Sequence, residues 1–142
     1  MNRTPTRTAH AIGLAGLLPF VGGAIAMWAL PVADRDGVAT ALLAYGATIV
    51  AFLGGLHWGL AARGNQSSAQ YVWGVMPSLA AWGALLLPPP IGLAVLAAAL
   101  VACYTVDRRV FPAQGLAGWM PLRAVLTIVA AASCIAGAVA VR

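Results

Sequence analysis

Glutamate and lysine are missing from this chain, and three aspartates are its only acidic side chains in 142 residues. Charged residues reach 8% against 62% hydrophobic ones, too few to solvate the surface of a water-soluble domain. Two histidines and three aspartates, two of these on the far side from the third, fall short of what metal hydrolysis needs. The two cysteines, Cys103 and Cys134, fall at depths that differ by roughly 15 Å on neighbouring helices, too far for a disulfide. They read as small apolar residues, with no disulfide or metal framework. No serine, cysteine or glutamate stands beside the His57–Asp107 pair in sequence as a nucleophile. The chain therefore points away from an enzyme, and no cofactor is expected.

What fills the sequence is apolar. Five stretches occupy about residues 10–30, 38–62, 69–87, 91–106 and 121–141. Spanning a hydrocarbon core of about 30 Å takes about 20 mostly apolar residues. None of the stretches alternates as a barrel strand would, so helices are the remaining way to satisfy the backbone in lipid. The reading is all-α: one transmembrane domain over 1–142, a bundle of five membrane-spanning helices. Arg3, Arg7, Arg63, Arg108, Arg109 and Arg123 would share one side, with Arg35 and Arg142 on the other. By the positive-inside bias the N-terminus is cytoplasmic and the C-terminus outside. The net charge of +5 thus reports topology and attraction to anionic lipid, and no nucleic-acid partner is expected. A basic start followed by Ala24-Ile25-Ala26 has the look of a signal peptide. The apolar run is longer than a usual signal core and holds Gly and Pro, which favours a retained first helix.

Ala and Gly, 32 and 16 residues, let helices approach closely, the main source of packing energy between helices in lipid. Gly46, Val50, Gly54, His57 and Ala61 form one stripe at helical spacing. Gly55 and Gly59 lie on the opposite side and are read as internal packing against another helix. Pro88-Pro89-Pro90 and Asp34-Arg35-Asp36-Gly37 are expected to be the two outer turns. Pro77 removes an amide hydrogen from span three and frees the carbonyl of Trp73, which predicts a bend with Ser78 beside it.

The informative residues gather towards the cytoplasmic side. His57 lies about 9 Å inside the end of its helix, next to Trp58. Tyr71 and Trp73 open span three, Tyr104 and Asp107 close span four, and Trp119 and Arg123 open span five. Asp107 and Arg123 share a level, and burying either alone is costly, so they are expected to pair. Trp58, Trp73 and Trp119 suit an interfacial aromatic belt. Trp82 lies mid-span on the Tyr71–Val75–Ser78–Trp82 stripe, where its indole needs a partner. His57, Asp107 and Arg123 read either as a structural network or as a ligand or proton site.

Four runs carry a resemblance: Ala15-Gly-Leu-Leu-Pro-Phe20, Tyr45 to Gly59 with its Phe-Leu-Gly-Gly-Leu-His-Trp-Gly ending, Met76-Pro-Ser-Leu-Ala-Ala-Trp82, and Trp119-Met-Pro-Leu-Arg-Ala-Val-Leu126. They resemble a membrane family defined by a domain of unknown function, number 3429, found in proteobacterial proteins and in the mitochondrial transmembrane protein 69. The matching positions are Pro19, Phe20, Tyr45, Gly46, Phe52, Gly54, Gly55, His57, Trp58, Gly59, Pro77, Ser78, Trp82, Asp107, Trp119 and Arg123. Span four matches only at Tyr104 and Asp107. The resemblance implies a multi-pass protein of the bacterial inner membrane and supplies no reaction.

Two functional readings follow. The first is a non-catalytic structural, accessory or assembly protein, with the bilayer and the subunits of a membrane complex as partners. The alternative is a binder or sensor of an apolar ligand (lipid, quinone or tetrapyrrole) in a pocket lined by Trp58, Trp82, Tyr104 and Trp119, with His57 as its polar handle. Transport is disfavoured, because five short spans hold no inverted repeat and no mid-membrane acid.

Overall fold

The computed structural model describes residues 3–64 and 68–141, and all its regular elements are helical. Arg142, counted above on the outer side, lies outside the described residues. Six α-helices follow in order: α1 (Arg7–Ala15), α2 (Leu18–Ala29), α3 (Arg35–Arg63), α4 (Ser68–Leu85), α5 (Pro89–Ala113) and α6 (Met120–Ala140). Short 3-10 turns, Val32–Asp34 and Ala117–Trp119, lead into α3 and α6.

The first apolar stretch is two helices. Pro19 has no amide hydrogen to give the carbonyl of Ala15, so the first helix stops and a new one begins with Pro19 in its first turn. The Tyr45 hydroxyl donates to Gly16 O at 2.8 Å, satisfying an acceptor at the break. Its ring packs edge-on against Phe20, centroids 5.2 Å apart. Gly46 lies beneath both Phe20 and Leu96, where a methyl group would meet Leu96 Cδ1 at 2.8 Å. Pro19-Phe20 and Tyr45-Gly46, distant in sequence, thus form one joint.

Four segments among the described residues are long and apolar enough to cross a membrane: Arg7–Ala29, Val32–Arg63, Pro89–Ala113 and Ala117–Ala140. The remaining expected span, α4, falls short of that measure. At 18 residues α4 is about 27 Å long, and Ser68, Gln70, Pro77 and Ser78 dilute its apolar character.

Both expected outer turns also move. Arg35, Asp36 and Gly37 are the first turn of α3, so the chain reverses before them, over Leu30–Asp34. Pro89 and Pro90 open α5, and only Pro88 stands outside it. Proline is well placed there, since the first turn of a helix uses no amide hydrogens internally.

The core runs along α3, which touches α2, α4, α5 and α6. Its inward stripe is the one read from the sequence: Gly46, Val50, Gly54, His57 and Ala61 are all buried. At Gly54 the α3 and α4 backbones meet, because an added methyl group would collide with Gly74 O and press on Pro77 at 3.2 Å. Gly55 and Gly59 face open space, so among the described residues they pack against no helix, contrary to the expectation.

Candidate functional site

Asp107 sits at the centre of the buried polar cluster. α5 continues to Ala113, six residues beyond it, because Arg108 and Arg109 occupy the exposed side of the same helix while Asp107 and Phe111 face inward. Asp107 is therefore inside its helix rather than at the end, and the connection to α6 shrinks to a few residues around Gly115, whose φ of 72° suits glycine.

One carboxylate oxygen, Oδ1, lies 2.9 Å from His57 Nε2 on α3. The other, Oδ2, accepts from Arg123 Nε at 2.8 Å and from Nη2 of the same guanidinium on α6. A carboxylate only accepts, so Nε2 carries the proton in this contact. The three residues are 1%, 2% and 7% exposed, in residue order, so the charges lie inside the bundle. One acid thereby joins α3, α5 and α6. The imidazole is enclosed by Trp73, edge-on at 6.4 Å, and by Phe111 at 6.4 Å.

His57 Nδ1, Trp73 Nε1 and Thr127 Oγ1 are buried without a hydrogen-bond partner among the described residues. Phe111 stands one turn after Asp107, and Thr127 one turn after Arg123. Neither was singled out from sequence, although i+4 spacing from each charged residue would have found them.

Beside the cluster, a cleft of about 490 Å³ opens on the bundle surface between the last three turns of α3, the end of α5 and the start of α6. Phe52, Leu56, Phe111 and Trp119 line it, with Arg123 at its inner wall and Arg63 at its rim.

Residues 5–139 match the family described as Protein of unknown function (DUF3429). The chain belongs to this family. It is also 37% identical over 134 residues to Transmembrane protein 69 of Xenopus tropicalis, covering 87% of this chain and 51% of the relative. The chain thus spans about half the length of that curated relative. No solved structure matches it.

Of the family-motif residues, His57, Asp107 and Arg123 come together, and Gly46, Gly54 and Pro77 pack between helices. The pocket expected from Trp58, Trp82, Tyr104 and Trp119 does not form. Trp82 faces outward, 63% exposed, so its indole has no buried partner to find. Trp58 lies across α4 instead, its indole N–H donating to Tyr71 O at 2.9 Å and its ring edge-on to Tyr71. Gly74 leaves room for that ring, since a methyl group there would strike Trp58 Cδ1. Tyr104 and Ser78 are half-buried and line neither the cleft nor the His57 cluster. Trp119 alone of the four reaches the cleft. Cys103 and Cys134 are free and buried.

Proposed function

We propose that this DUF3429 protein is a non-catalytic structural or accessory protein of a membrane complex. The observation that carries the reading is the use made of the buried polar groups. Both Asp107 oxygens, the Nε2 of His57 and one edge of the Arg123 guanidinium are spent on one another across three helices. A catalytic or haem-ligating imidazole needs a free nitrogen facing an accessible space, and His57 is enclosed by Trp73 and Phe111. The charge cluster instead fixes the register of three helices, the best-attested role of buried ionic groups.

The finer placement belongs to the same proposal: five crossings with α4 as the short one, N-terminus cytoplasmic, C-terminus outside, in a bacterial inner membrane. It rests on the arginines, six of which lie on the end of the bundle shared by Arg63 and Arg123, against Arg35 at the other. Reporter fusions at both termini test the topology.

Purification of the tagged chain in a mild detergent, with an absorbance scan and mass spectrometry of what accompanies it, tests the role. The reading expects membrane-complex subunits and a spectrum of tryptophan and tyrosine alone. A stoichiometric chromophore or quinone lost in His57→Ala would overturn it.

A further inference from the structure

The cleft beside Arg63 has a use that the structural reading leaves unassigned. We propose that it binds one anionic phospholipid, an acyl chain lying along Phe52, Leu56 and Trp119 and the phosphate held by Arg3 and Arg63.

Depth comes first. Arg35 and Arg63 are the end residues of α3, about 42 Å apart at 1.5 Å per residue. That matches the roughly 40–45 Å between the headgroup regions of a bilayer, so Arg63 stands at the level of the phosphates. The apolar part of the cleft, from Leu60 inward to Phe52, then lies at acyl-chain depth.

The cleft shares Leu60, Arg63 and Leu116 with a polar hollow that also receives Arg3 and Gln114. The hollow is built deliberately: Arg3 N donates to Gly115 O at 2.8 Å, and Gly118 lies close against Thr4, which pins the N-terminal segment over the α5–α6 connection. Two guanidiniums are thereby brought to one mouth. No acid of this chain can neutralise them: Asp107 is held by Arg123 and His57, and Asp34 and Asp36 are at the opposite end of α3. The carbonyl ends of α3 and α5 point to the same mouth and contribute about half a negative charge each. The amide end of α6, at the same cleft, returns about half a positive charge, so the mouth stays net positive and an external phosphate complements it.

The leaflet is the source of an occupant with both features, a long apolar tail and an anionic head. A cleft of this volume falls in the usual range for a site that takes a sizeable apolar ligand.

Native mass spectrometry of the full chain, titrated in detergent with dioleoyl phosphatidylglycerol or dioleoyl phosphatidylcholine, tests the proposal. The expected result is a single retained phosphatidylglycerol adduct, favoured over phosphatidylcholine. Arg3→Gln and Arg63→Gln should each weaken it about fivefold. The double variant Arg108→Gln/Arg109→Gln loses twice the charge of either single variant on the same side, away from the cleft, and should leave the preference intact. Gly59→Leu, whose new side chain enters the cleft from a position with open space, should reduce binding of both lipids. Equal binding of the two lipids would overturn the proposal. So would an equal loss in the Arg108/Arg109 variant, or full competition by glycerol phosphate, which would assign the mouth to a free phosphate.

Discussion

At one end of the bundle an arginine meets a carboxylate; at the other an arginine meets backbone carbonyls. Arg123 is 7% exposed and bonded to Asp107. Arg35 is only half-buried, its Nε donating to Leu30 O at 3.1 Å and its Nη1 to Ala140 O at 2.9 Å. Both tie helices together across the fold, Arg123 through Asp107 of α5 and Arg35 through the C-terminal ends of α2 and α6. The contrast shows what full burial requires. Carbonyl dipoles suffice for a guanidinium that keeps contact with the headgroup region, and they suit the negative ends of helices. Deep burial takes a formal counter-charge, because several kcal/mol of desolvation must be offset for each ion.

The largest effect should come from removing the counter-charge. Asp107→Ala leaves Arg123 buried and unpaired and should lower stability by about 3–5 kcal/mol, read as the unfolding midpoint of the purified protein in mixed detergent. Next comes the close α3–α4 crossing: Gly74→Leu forces Trp58 and the Gly54 backbone away and should cost about 1–3 kcal/mol. At the far end, Arg35→Gln removes two charge-assisted bonds to carbonyls from a half-solvated site and should cost about 1 kcal/mol. If it proved as damaging as Asp107→Ala, the distinction between the two ends would collapse. The smallest effects belong to the outward face, where Gly55→Ala and Trp82→Phe should stay within about 0.5 kcal/mol in detergent.

Helical periodicity made the inward stripe of α3 legible, and the shared level of Asp107 and Arg123 made their contact legible, because an unpaired ion at that depth is costly. The direction of α4 was not. Tyr71, Val75, Ser78 and Trp82 suggest a cavity wall if large residues are assumed to face inward, as they do in water. In lipid that assumption has no force. The buried face of α4 is Gly74, Pro77, Ala81 and Ala84, and apart from Trp73, which packs on His57, bulk goes to the outside. The end of α5 was hidden for a related reason. Arg108-Arg109 reads as the edge of the membrane, yet a helix passes through such a pair when both side chains lie on its exposed face. The break at Gly16–Leu17 has a written signal in Pro19, but its repair by Tyr45 is a tertiary contact that no local pattern carries.

If His57, Asp107 and Arg123 act as one clasp holding three helices, their contributions to stability are coupled. A double-mutant cycle with Asp107→Asn and Arg123→Gln, followed by unfolding midpoint, tests it most directly. A clasp predicts that the double variant is less damaged than the sum of the singles by at least about 1 kcal/mol, since the second change removes a partner already lost. Losses that add within about 0.3–0.5 kcal/mol would show that the two side chains stabilise the bundle independently and would contradict the claim.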